Sequence, residues 1–345
     1  MRNKIRPLLF LFVLSILICA GCSKANAKIS KSGFYFDTII TLTLYGTTDE
    51  SYIDECFSMA KKYEGLFSNT IASSDISKIN ARKGEFVEVS EETIDLLNRG
   101  IAASEKSQGC FDITIGALSS LWNISEIAVQ TKTDDNSTDA SVLPSHEEIQ
   151  EALSHVDVHA IEIEGNRVRL LDAKAQIDVG GIEKGYIADR MKEYLVQQGV
   201  SSGIINLGGN ILTIGEKKDG AAYSIGIQKP FDEQGESIAI LKIKDASVVS
   251  SGIYERFYRV DGKLYHHILN LQTGYPVENE LHGVTIVSSS STDGDAFSTI
   301  CFALGLERGL AWIESLPDTE AVFITEDGKL HTTSGIGTKI EFVVL

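Results

Sequence analysis

Apolar positions along this chain change period several times, from the alternation of strands to the three-to-four spacing of helices and back. Residues 34–45 are β-branched and aromatic, with Thr38, Thr41 and Thr43 set among apolar neighbours, which predicts a strand. Ile53, Phe57, Ala60 and Glu64 then recur at helical spacing, so residues 50–66 are expected to form a helix. A second helix is expected over 91–106. Ser90 is its cap, two glutamates occupy the first turn, Ile94, Leu97 and Ile101 form the apolar stripe, and Gly109 lies just beyond the end. Residues 130–145 are polar and low in complexity, which reads as a surface loop rather than a domain boundary. Strands follow at 160–164 and 167–171 around Gly165-Asn166, a hairpin signal. After a helix at 184–198, several strands fall between 203 and 287. Helices at 293–304 and 307–315 and strands at 320–325 and 339–345 close the chain. No internal repeat is visible, and strands arriving in runs with helices between them predict an α+β or mixed α/β fold.

The N-terminus stands outside this pattern. Arg2, Lys4 and Arg6 precede an apolar run from Leu8 to Ala20, too short to span a membrane comfortably and typical of a secretory leader. The run ends in Cys19-Ala20-Gly21-Cys22, which resembles a bacterial lipobox. That resemblance implies a leader over 1–22 and lipidation of Cys22, with more than one acyl chain giving stable anchoring. A polar tether over 23–32 would then lead to one domain at 33–345, held at the cell membrane and facing away from the cytoplasm.

Charge and cysteines narrow the function classes. The chain carries a formal charge of −17, and loss of the three leader cations makes the remainder more negative still. Nucleic-acid binding is thereby disfavoured, since phosphate contacts need clustered Lys and Arg. Any phosphate site must use backbone N–H groups, a metal or a few placed cations. Cys56, Cys110 and Cys301 lack metal-ligand spacing and are odd in number, so they are expected to be buried free thiols, with one disulfide plus a spare as the alternative.

Several short segments have the residue types that chemistry needs. Asp178-Val179-Gly180-Gly181-Ile182-Glu183-Lys184-Gly185 lies between a strand and a helix, where glycines admit a ligand and a helix start favours phosphate. The same glycines also suit a turn that serves only packing. Asn206-Leu207-Gly208-Gly209 and Ser250-Ser251-Gly252 divide between tight turns and ligand contacts in the same way. Asp295 and Thr299 are four apart at a helix start, one face up, which suits a hard cation or simple capping. His266 and His267 fall where a strand meets a turn. Strand alternation sends them to opposite faces, so at most one can serve a cleft as a base, and a surface or hydrogen-bonded structural role is open to either.

In order and identity these segments resemble the ApbE family, the FAD:protein FMN transferases. Phe36-Asp37-Thr38, Ser74-Asp75-Ile76-Ser77-Lys78-Ile79-Asn80, Gly109-Cys110-Phe111-Asp112 and His267-Ile268-Leu269-Asn270 with Thr273-Gly274 complete the set, from about residue 33 to the C-terminus. The resemblance implies a T-fold-like α/β single domain that transfers the FMN half of FAD, its substrate, to a Thr or Ser of an acceptor flavoprotein. AMP would be released. The acceptor would belong to a membrane-associated electron-transfer system. Flavin and nucleotide contacts carry over to Phe36, Thr70, Cys110, Phe111, Asp112, Asp178, Lys184 and Ile268. A Mg2+ site carries over to the Gly181 carbonyl with Asp295 and Thr299, and the base to His267. The chain departs from the family at Phe36-Asp37, Thr70, Leu271 and Ser298. Two other readings use the same residues: an FAD pyrophosphatase, with water in place of the acceptor, and a lipid-anchored flavin carrier with no chemistry.

Overall fold

The computed structural model describes residues 27–130, 138–233 and 235–345. The leader with Cys22, the first part of the tether and residues 131–137 of the polar loop lie outside them. Eight strands form one antiparallel sheet, and their order across it is their order in the chain. They are β1 (Lys28–Tyr35), β2 (Thr38–Tyr45), β3 (Ser202–Leu207), β4 (Asn210–Gly215), β5 (Ser247–Gly252), β6 (Leu281–Ser288), β7 (Glu320–Thr325) and β8 (Leu330–Thr332).

The tether expected over 23–32 is therefore strand from Lys28 onward. Its polar residues belong to an edge strand, where Ser30 and Ser32 each bond a threonine hydroxyl of β2 at 2.8 Å. The single strand expected over 34–45 is two strands. Phe36 and Asp37 turn the chain with φ of 53° and 55°, the left-handed pair of a two-residue hairpin, here without the usual glycine.

Helices α1 (Ser51–Phe67), α2 (Glu183–Gln197), α3 (Ser291–Leu304) and α4 (Leu306–Glu314) cover one face of the sheet. A three-stranded sheet of Tyr223–Gln228, Ser237–Ile243 and Glu341–Val344 packs on part of the other. β7 shows the consequence: Ala321 and Phe323 face the helices while Val322 and Ile324 face the small sheet. A strand covered on both sides reads as an unbroken apolar run rather than an alternating one. The sequence pattern missed Asp75–Ala81, Gly116–Trp122, Ile124–Gln130 and His146–Leu153, helices of two turns that hold too few residues for a periodic stripe. The three described cysteines are free, Cys56 and Cys301 being buried. Among the described residues no helix is long and apolar enough to cross a membrane.

Candidate active site

The glycine turn before α2 is pinned from a distance. Asn80 donates to the Ile177 carbonyl at 2.9 Å and accepts from the Ile177 N–H at 2.7 Å. Asp75, in the same segment, is buried and accepts from Ser90 N–H and the Thr93 hydroxyl. That motif therefore braces the scaffold. Asp178 accepts from Gly180 N–H at 2.9 Å and from the Ser119 hydroxyl at 2.8 Å. Gly181 lies against the Phe111 ring, which a Cβ at that position would meet at 2.8 Å.

Helix α2 begins without a side-chain cap of its own. The Gly185 N–H in its first turn donates instead to Asp295 Oδ2, at 2.9 Å, across to α3. This bond requires glycine, because a Cβ on residue 185 would stand 2.2 Å from the Ser291 carbonyl. The reverse connection comes from Asp189 of α2, which accepts from the Ser291 and Thr292 N–H groups that open α3, both at 2.9 Å. Asp295 is 5% exposed. Burial raises its carboxyl pKa, opposed by Lys184 and by the Gly185 N–H. The Lys184 ammonium is 3.8 Å from Oδ1 and bonds the Gly180 carbonyl. The buried amide nitrogen of Asn210 favours the charged carboxylate too, though it makes no bond of normal geometry. One turn on, Thr299 Oγ1 lies 3.3 Å from Ser251 Oγ, which also bonds Ser298 at 2.7 Å. Asp295 and Thr299 thus share a face, as their spacing predicts.

The two histidines separate completely. His266 is buried, its Nε2 donating to the Val277 carbonyl at 2.9 Å and its Nδ1 accepting from Ile268 N–H at 3.2 Å. Both ring nitrogens are engaged, and burial pushes its pKa down to about 4. His267 is half-buried on the other face, with Nδ1 3.3 Å from the Arg256 carbonyl. That carbonyl can only accept, so Nδ1 carries the proton and Nε2 is left open as a base. Burial first, and then the Arg256 charge, depress its pKa to about 3, so the ring is neutral at physiological pH.

Three charged groups at this site escaped the sequence reading. Glu183 and Glu255 are raised to about 7, first by desolvation, with Lys184 and Arg256 opposing. Arg256 also acts on Asp295 and His267. Glu183 stands inside the glycine motif and was legible there as a candidate. Glu255 and Arg256 come three and four residues after Gly252, and the place of Arg256 beside His267 depends on the pairing of 257–260 with 263–266, which sequence spacing does not show.

The residues expected to contact the flavin and nucleotide occupy varied settings. Phe36 is half-buried at the hairpin tip, its N–H donating to Glu64 at 2.8 Å. Thr70 is exposed and bonds Ser68. Cys110 is half-buried and Phe111 is buried. Asp112 accepts from Thr114 on one oxygen and from Val158 N–H on the other, so it clamps two loops together. Ile268 is buried in the core, its N–H bonded to His266 and its carbonyl to Val277 N–H. Its role visible here is to fix the turn that carries His267.

The comparisons agree with this architecture. A model described as the ApbE family matches residues 36–323, and the chain belongs to that family. A Klebsiella pneumoniae FAD:protein FMN transferase is 36% identical over 90% of this chain and 93% of its own length. One from Treponema pallidum is 28% identical, over 95% and 94%. The crystal structure of the ApbE protein of Thermotoga maritima has a TM-score of 0.78 at 29% identity, covering 89% of this chain and 97% of that one. Flavin transferase ApbE from Vibrio cholerae gives 0.77 at 25% identity, with the same coverage. The fold is thus the mixed α/β one expected, and the protein is an enzyme of the transferase class.

Proposed function

We propose that this protein binds FAD with Mg2+ and transfers the FMN half to a Thr or Ser hydroxyl of an acceptor flavoprotein outside the cytoplasmic membrane, releasing AMP. The observation that carries this reading is the pairing of two prepared groups. Asp295 is a buried carboxylate with one oxygen anchored by a backbone N–H. His267 is a neutral imidazole with one nitrogen open.

The donor set around Asp295 suits a hard cation. One carboxylate oxygen lies 3.8 Å from the Lys184 ammonium, a hydroxyl lies one turn along at Thr299, and Gly181 belongs to the glycine turn just before α2. Among the described residues no group of three or more His, Cys, Asp and Glu side chains forms a metal centre. A cation here would complete its shell with phosphate oxygens and water, as magnesium does. Bound there, Mg2+ supplies neutralisation of pyrophosphate charge. His267 Nε2 takes the proton from the acceptor hydroxyl, whose oxygen forms a bond to the FMN phosphorus. The anhydride P–O bond breaks, and its electron pair leaves with AMP. Lys184 and the start of α2 offer positive charge to the phosphates.

Anchoring through a lipidated Cys22 would hold this chemistry at the membrane, near acceptors of electron-transfer systems. The test is incubation with FAD, Mg2+ and a candidate acceptor protein. Covalent flavin on the acceptor is the expected result. Free FMN without labelled acceptor would make the protein an FAD pyrophosphatase, and unchanged FAD would make it a carrier.

A further inference from the structure

Arg256 is exposed, and among the described residues its side chain has no ion pair or hydrogen bond. The other cation near Asp295, Lys184, is already engaged by that carboxylate and by the Gly180 carbonyl. Arg256 is also fixed in position, since its backbone carbonyl accepts from both the N–H and Nδ1 of His267, each at 3.3 Å. Its neighbour Tyr254 lies over Gly252, with a ring carbon 2.3 Å from where a Cβ would stand, so the segment leaving β5 is held close to the sheet. An unpaired guanidinium on the residue whose carbonyl holds the candidate base, in a chain of net charge −17, is poorly explained as surface decoration. A planar fork of donors matches phosphate oxygens two at a time, and a charge left unpartnered within the protein is free to take an anionic substrate.

We propose that the Arg256 side chain grips the pyrophosphate of FAD, while its backbone carbonyl sets the His267 tautomer. One residue then links the phosphate to the base that works on it. This inference rests on the FMN-transfer reading and adds to it a specificity residue for the diphosphate. The two roles are separable, because substitution removes the guanidinium and leaves the carbonyl in place.

The test compares the full-length protein with its Arg256→Gln and Arg256→Lys variants, all with Mg2+ present. Binding of FAD and riboflavin is followed by flavin fluorescence, and ADP by competition with FAD. Arg256→Gln should weaken FAD and ADP at least about tenfold, the loss of one charge-assisted contact, with riboflavin changed less than twofold. Arg256→Lys should recover part of the loss, as a point charge without the fork. Unchanged FAD affinity, or riboflavin weakened as much as FAD, overturns the proposal. Unfolding is read separately by thermal melting. Labelling of acceptor by the wild type is scored in parallel, so failure of the transfer reading is seen independently of what Arg256 binds.

Discussion

Asp189 and Asp295, on neighbouring helices, each accept the backbone N–H groups that open the other's helix. Neither helix start is therefore left bare, and the two are locked in one relative position with the Asp295 carboxylate at the seam. An N–H bonded to a carboxylate is a strong tie in a buried place. The same bond aims Asp295, so packing and chemistry depend on one contact.

Gly185→Ala tests that dependence. The added methyl would need a carbonyl on α3 to retreat from 2.2 Å, and the carbonyl is backbone in a packed helix. We expect a loss of about 2 kcal/mol or more from overpacking, with transfer falling further than stability alone explains. Denaturant melts beside acceptor labelling check it, and a variant with normal stability and activity would mean the helices adjust freely.

Asp295→Asn should separate stability from function in the opposite sense. Asparagine keeps an acceptor for the Gly185 N–H but removes a buried charge, which is costly to hold. Without added magnesium the variant should melt no lower than wild type. Its transfer rate should drop more than about a hundredfold, the several kcal/mol a lost cation site implies. Thr299→Ala should lose less, because water can replace a hydroxyl ligand. A fully active Asp295→Asn at low magnesium removes Asp295 from the cation site.

The parts of the site legible in the sequence are those made within one segment. The glycine turn, the one-turn spacing of Asp295 and Thr299, the caps at Ser90 and the alternation of His266 and His267 all act over a few residues. The parts that were not legible act across the fold. Asp189 caps a helix 102 residues away, and Asn80 pins Ile177 across 97. Asp75 belongs to one of the segments that resemble the family, and its buried carboxylate ties Ser90 and Thr93 on one oxygen and pairs with Lys78 on the other. The hairpin at Phe36-Asp37 was hidden for another reason: its left-handed turn uses residues that do not advertise one.

His266 carries a pH dependence with a definite sign. Its folded pKa lies near 4 against an ordinary value of 6.5, so between these the unfolded chain binds the extra proton. Stability is then fully present above about pH 6.5 and is lost as pH falls toward 4, by roughly 3 kcal/mol for this group. Glu183 and Glu255, raised to about 7, act with the opposite sign and mask it in the wild type alone. The difference between wild type and His266→Gln isolates it. That stability difference should shrink steadily from pH 7 to pH 4.5. A constant difference across the range would show that His266 titrates normally.

The proposal of membrane anchoring rests on Ala20-Gly21-Cys22. Cys22→Ser should leave the protein without lipid and move it from the membrane fraction to soluble or unprocessed material. Metabolic labelling with a fatty-acid analogue gives the chemical readout. Normal labelling and fractionation of the variant would place the anchor elsewhere.

The sharpest test of the chemistry is the pair of adjacent histidines. His267 keeps Nδ1 on the Arg256 carbonyl and presents Nε2, whereas both nitrogens of His266 are consumed inside the fold. A general base contributes about 10²–10⁴-fold to rate and little to ground-state affinity. His267→Ala should therefore bind FAD almost normally, fold normally, and label an acceptor at least about a hundredfold more slowly. His266→Ala leaves the Val277 carbonyl and the Ile268 N–H without partners and opens space beside Phe302, so its loss should be in stability, about 1–3 kcal/mol. Below its lowered melting temperature its rate per folded molecule should stay within a few-fold of wild type, the small change following from the turn at Ile268 rather than from proton transfer. Flavin-fluorescence titration, in-gel fluorescence of the labelled acceptor and thermal melts on both variants give all three quantities. Loss of FAD binding in His267→Ala, or equal rate losses in the two, would show that His267 holds the ligand or the fold, and the proton would have to go to another group, Glu255 being the nearest in the chain to Arg256.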